Sequence, residues 1–162
     1  MKKHILIALG VCAGLALSGC QSVAPEAGPD RQLTGLNIPA GSNEDFVVNV
    51  GRRIFFTENS ADLTDVARAT LDKQADWLTL YPAYKIKIEG FSDEKGTPDF
   101  NRQLGMKRAQ AAMSYFALKG VPAGRMRIKT FGNERPVRKC DDLSCWSQNR
   151  RVVTVLDTEV GS

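Results

Sequence analysis

Histidine is all but missing: the 162 residues contain one, and it is the fourth. Without an imidazole in the body of the chain, Ser-His-Asp and Cys-His catalysis are excluded, along with the commonest general base at neutral pH. Any catalysis would have to run on paired carboxylates. Cysteine is scarce as well, at positions 12, 20, 140 and 145, and with no histidine to complete a ligand set no metal or cofactor is expected. Long apolar runs are absent. The one stretch of note, Ile5 to Leu17, falls short of the ~20 residues that span a bilayer. Excess charge is small, with 22 basic residues against 18 acidic ones. No stripe of interleaved aromatic and basic residues is present, so nucleic acid is not an expected partner. What remains has globular composition and a length suited to one domain with appendages.

The amino terminus reads as an address. Lys2 and Lys3 precede the apolar run Ile5 to Leu17, the arrangement of a secretory signal. The run closes on Leu17-Ser18-Gly19-Cys20, which resembles the bacterial lipobox. That resemblance implies removal of residues 1–19, a diacylglycerol on the Cys20 thiol and, because Gln21 rather than aspartate follows, delivery to the outer membrane. Loss of Lys2 and Lys3 leaves 20 bases against 18 acids, or +2: a nearly neutral, solvated surface. Cys12 leaves with the signal and Cys20 is consumed by lipid, so Cys140 and Cys145 are expected to form a disulfide in an oxidising compartment.

Residues 20–43 carry Pro, Gly, Ala and Ser without apolar period. They are read as a tether with a reach of roughly 25–30 Å. A folded domain is expected over 44–158. Alternation at Phe46, Val48 and Val50, followed by Ile54-Phe55-Phe56, predicts two short strands or one bent one. Asn59 to Asp62 offer caps to a helix over 62–80 whose inner side would be Leu63, Val66, Ala67, Thr70, Leu71, Trp77 and Leu78. Lys85 to Phe91 alternates as a strand. Thr97 and Pro98 open a second helix running to Lys119, with a stripe at Phe100, Leu104, Ala111, Tyr115 and Leu118. A strand at 127–131, a long connection over 133–150 and a closing strand at 151–156 complete the pattern. This order predicts an α/β (α+β) two-layer sandwich, two main helices on one face of a mixed sheet.

One segment concentrates chemistry. Asp93 lies just beyond a strand end, and Asn101, Gly105 and Arg108 share a helix face at spacings of four and three. A carboxylate, a carboxamide and a guanidinium near a helix start suit a ligand with both an ammonium and a carboxylate. An internal Asp–Arg salt bridge explains the same residues equally well. Glu94 beside Asp93 is read as solvated charge.

The run Gly90, Asp93, Gly96, Asn101, Leu104, Gly105, Arg108, Ala109 resembles the peptidoglycan-binding motif of the OmpA-like domain. The similarity extends from Phe46 to Leu156, through Gly132-Asn133-Glu134-Arg135-Pro136 and Asn149-Arg150-Arg151-Val152. Within that family, Asp93-Glu94-Lys95-Gly96-Thr97-Pro98-Asp99-Phe100-Asn101 is most similar to the peptidoglycan-associated lipoproteins of the Tol-Pal system. The resemblance implies a non-enzymatic outer-membrane lipoprotein that binds the diaminopimelate of the wall's stem peptide. Asp93 would take the ammonium and Arg108 the carboxylate, with Asn101, Thr97, Lys95 and Asn59 around them. It also implies TolB and the Tol-Pal complex as partners, in support of envelope integrity and cell division. Phe91 replaces a common histidine or asparagine, Lys95 an arginine and Asn59 an aspartate. Two other expectations are an OmpA-like wall-binding lipoprotein outside Tol-Pal, and a wall hydrolase using Asp93 or Glu94 as acid.

The anchor has a direct test. Cys20→Ala should leave an uncleaved precursor that takes up no labelled palmitate. Acylation of that variant would show that Cys20 is not the site.

Overall fold

A computed structural model describes residues 37–157, so Cys20, the signal and most of the tether lie outside the described residues. The described part begins earlier in structural terms than residue 44. The Gly41 carbonyl accepts from the Tyr84 hydroxyl at 2.8 Å, its N–H donates to Asp45, and Ser42 caps the first turn. Helix α1, Asn43–Asp45, runs on as a wider π-helical turn over Phe46–Val50 and stops at Gly51, whose φ is 84°.

A strand was expected over 46–50, and the structure corrects this. Phe46 is fully buried, while Val48 is 48% exposed. The reason is tertiary: the Asp45 carboxylate accepts from Trp77 Nε1 at 2.8 Å and from Asn49 at 2.8 Å. That places Phe46 4.9 Å from the Trp77 ring. Local alternation is a weak signal against such an anchor. Those hydrogen bonds hold the Asp45 carboxyl below its usual pKa, the Trp77 bond first.

Strand β1 is Arg53–Phe55, and helix α2 covers Asp65–Leu80. Its cap is Thr64, whose hydroxyl accepts from Ala67 N, rather than any residue of 59–62. Strand β2 is Lys85–Phe91, helix α3 is Pro98–Leu118 and β3 is Met126–Gly132. A short helix α4, Leu143–Asn149, precedes β4, Arg151–Asp157. The sheet order is β1-β4-β2-β3, with β2 and β3 parallel and the other pairs antiparallel. The parallel pair requires a crossover, which α3 supplies. The expected mixed sheet with helices on one face is therefore present.

Between helices and sheet lies one core, built on Leu71, Leu78, Ile86, Ile88, Phe116 and Val152. In α2 the expected Ala67, Leu71, Trp77 and Leu78 are buried, whereas the stripe of α3 is shifted by about one residue. Val66 and Leu118 are each 79% exposed and Phe100 is 45% exposed, while Gln74, Ala75, Ala112 and Phe116 are buried. Gln74 is held by polar partners, donating to Gly51 O and accepting from Thr154 Oγ1, both at 2.7 Å.

The phase of α3 is set by two glycines. A Cβ on Gly90 would lie 1.9 Å from the Gly105 carbonyl oxygen, so the helix backbone rests directly on β2. We expect Gly90→Ala to lift the helix and cost about 1–3 kcal/mol, as overpacking does. Urea unfolding reads it directly, and a wild-type midpoint would mean the contact is not tight.

Candidate functional site

The strand-to-helix connection after β2 is built as its residues dictate. Gly96 adopts φ 93°, Thr97 Oγ1 accepts from Phe100 N, and Pro98 takes the first helical position, where its missing N–H has no cost. Asp93 sits at the buried root of this loop. One of its oxygens accepts from Lys95 N at 3.3 Å and the other from Arg150 Nη1 at 3.1 Å. Arg150 also donates from Nε to the Phe56 carbonyl, fastening the end of β1 to the loop. Both partners of this ion pair have side chains at most 7% exposed.

The salt bridge weighed from sequence thus exists, but with a different arginine. Arg108 has no carboxylate within ion-pair distance among the described residues. It is fully buried and donates to three carbonyls: Ser60 through Nε at 2.8 Å, Phe91 through Nη1 at 3.0 Å and Thr57 through Nη2 at 3.1 Å. Its guanidinium lies 5.3 Å from the Phe56 ring. Burial, only partly offset by the Asp93 charge, lowers its pKa to about 10. Two buried guanidiniums therefore lie near one buried carboxylate, and only Arg150 pairs with it. Asn101, one turn into α3, is also fully buried, and neither its Oδ1 nor its Nδ2 has a protein hydrogen-bond partner.

The remaining expected residues stand around this centre. Asn59 holds a left-handed backbone at φ 52° and, with Ser60, Asp62, Gln103, Leu104 and Lys107, lines a cleft of ≈ 320 Å³. Arg108 braces that cleft from behind through the Ser60 carbonyl. Lys95 points away to other partners, 2.9 Å from Glu58 Oε1 and 4.1 Å from the Trp146 ring. The Lys95 hydrogen bond keeps the Glu58 carboxyl below its usual pKa. Glu94, expected to be free, accepts from Asn149 Nδ2 at 2.7 Å. Cys140 and Cys145 are joined as a disulfide, and Asp142 within that ring caps α4.

Sequence reasoning passed over Arg150, Gln103, Lys107 and Asp62. Arg150 had a signal: of two consecutive arginines entering a strand, one turns toward the packed side. The cleft residues gave none, because α3 and the 59–62 turn meet only after folding.

Known proteins carry the same pattern. The sequence pattern of the OmpA family matches residues 55–150. A peptidoglycan-associated lipoprotein of Rhizobium meliloti is 49% identical over 96% of this chain and 88% of its own length. One from Brucella melitensis is 48% identical over 93% and 91%. Among solved structures, the peptidoglycan-associated lipoprotein from Burkholderia pseudomallei superposes with a TM-score of 0.67 at 32% identity, covering 72% of this chain and all of that one.

The buried pair predicts a coupled response. Arg150→Met should destabilise by about 3–5 kcal/mol, because it strands the Asp93 charge. Adding Asp93→Leu should recover much of that loss. Additivity of the two substitutions within ~0.5 kcal/mol in urea unfolding would show that they do not interact.

Proposed function

Because the chain belongs to the OmpA family and, within it, to the peptidoglycan-associated lipoproteins, we propose that it binds peptidoglycan non-covalently and ties the outer membrane to the wall. In this reading residues 1–19 are the signal, acylated Cys20 is the anchor, the residues up to about 40 form the tether and the folded domain from Gly41 holds the wall.

One observation carries the binding reading: the imbalance of buried charge at the start of α3. Asp93 is already matched by Arg150, and Arg108 is desolvated with only carbonyls to hold it. A buried cation without a counter-ion is costly, and an incoming carboxylate offsets that cost. Three of the five guanidinium donors are engaged, which leaves two for a ligand. Diaminopimelate brings a carboxylate and an ammonium on one carbon. Arg108 takes the first, Asp93 attracts the second, and Asn101, Asn59 and Thr97 flank the peptide, while Lys95 stays turned to Glu58 and the Trp146 ring.

Binding rather than catalysis fits the acids. Asp93 is held in its ion pair and Glu94 by Asn149, so neither stands free as a proton donor. The Tol-Pal role, with TolB as partner during division, rests on family membership. Retention of TolB on the immobilised protein tests it, and failure would place the chain outside that system.

The ligand has a sharper test than truncation, since Asp93→Ala and Arg108→Ala would also unsettle the fold. A stem tripeptide containing diaminopimelate should displace the protein from isolated sacculi. The same peptide with lysine, which lacks the second carboxylate, should need about 10- to 100-fold more, the worth of a charged hydrogen-bonded contact. Equal competition by the two peptides would exclude recognition through that carboxylate.

A further inference from the structure

Alternation along the strands sends every second side chain away from the helices. Across that outer face, Arg53, Val153, Glu89 and Lys129 stand in one register row, and Val155, Lys87 and Arg127 in the next. Asp157 and Lys85 follow at one end. At the other end, Phe91 and Phe131 stack at 5.2 Å beneath the guanidiniums of Arg151 and Arg135, which lie 3.7 and 4.0 Å from the two rings.

The face thus holds seven bases against two acids, Glu89 and Asp157, a balance of +5, although Arg151 is only 6% exposed and six of the bases reach solvent. The whole chain is +4, so everything else sums to −1. The near-neutral surface expected from composition is in fact segregated. Arg127 pairs with Asp157, but Lys87 stands directly opposite Arg127 with no carboxylate of its own among the described residues. Like charges placed opposite each other in a sheet repel. Burial, and then the nearby Arg53 charge, lower the Arg151 pKa to about 10, and its Nε has no partner. The hollow at the edge of the face, beside Lys85 and Asp157, is only ≈ 130 Å³. A broad, flat array of separated cations is complementary to an extended anionic plane rather than to a ligand that inserts.

We propose that this outer sheet face is a second contact surface, which lies against the anionic headgroups of a lipid bilayer. The proposal rests on the lipid-anchor reading for its local concentration. Sixteen residues, 21–36, separate Cys20 from the first described one, Asn37, a typical reach of roughly 20–25 Å. The cleft lined by Gln103 and Lys107 is on the helix side, so a sheet lying on lipid leaves it open.

The acylated full chain, extracted from membranes, is reconstituted into phosphatidylcholine vesicles with or without phosphatidylglycerol. Lysine acetylation is then read by mass spectrometry. In the anionic vesicles Lys85, Lys87 and Lys129 should label about fivefold more slowly, with Lys73 and Lys107 on the helix side unchanged. Salt at about 1 M should erase the difference. Lys87→Glu with Lys129→Glu should erase it at Lys85. Equal labelling in both vesicles overturns the proposal, as does protection surviving that double substitution. Protection by soluble polyglutamate but not by vesicles also overturns it, in favour of an acidic polymer. Flotation with neutral vesicles reads the acyl anchor separately, and the labelling comparison stands whichever way that result falls.

Discussion

Where α3 crosses β2, backbone lies on backbone, and much of the rest follows from that contact. Any side chain at Gly90 would collide with the Gly105 carbonyl, and one at Gly105 would come within 2.6 Å of Thr130 Oγ1. The crossing fixes both the depth and the rotation of the helix. Asn101 and Arg108, on the same face, are driven into the protein rather than left at its surface. A polar side chain in that position must find partners. Arg108 finds the Thr57 and Ser60 carbonyls and so orders the turn that becomes one wall of the cleft. Asn101 finds none among the protein groups.

The second organising element is the pair Asp93–Arg150, which joins the loop before α3 to the residue before β4. Around it the disulfide has a longer reach than a loop staple suggests. Its ring contains the Asp142 cap of α4, and α4 presents Trp146 to Lys95 and Asn149 to Glu94. The cystine therefore steadies the same 92–97 loop whose root is Asp93. Lys95, in place of a forked arginine, spends its charge on Glu58 and the Trp146 face instead.

Charge is sorted by layer. The helix side carries the cleft and a nearly balanced set of ions, such as Arg68 with Asp65 and Lys119 with Asp72. The outer sheet face carries the excess of base. Two opposite faces with different electrostatics suit a domain that mediates between two different surfaces.

Elements with strong local signals were legible before folding. Lys85 to Phe91 alternates cleanly, Thr97 and Pro98 open a helix by local capping, and the order of helices and strands implied the two-layer sandwich. The sequence also put Asn101 and Arg108 on one face of one helix, with Asp93 in the loop before it, because their spacing is a local property. Long-range contacts settled the rest. Residues 46–50 became helical because Asp45 meets Trp77 thirty-two positions away. The partner of Asp93 became Arg150, fifty-seven positions on, rather than the nearer Arg108. A composition close to neutral became a basic face and a balanced one through strand order and register. In each case the deciding contact joins residues far apart in the chain. Propensity and periodicity act over a few neighbours, and which distant groups meet is settled by packing.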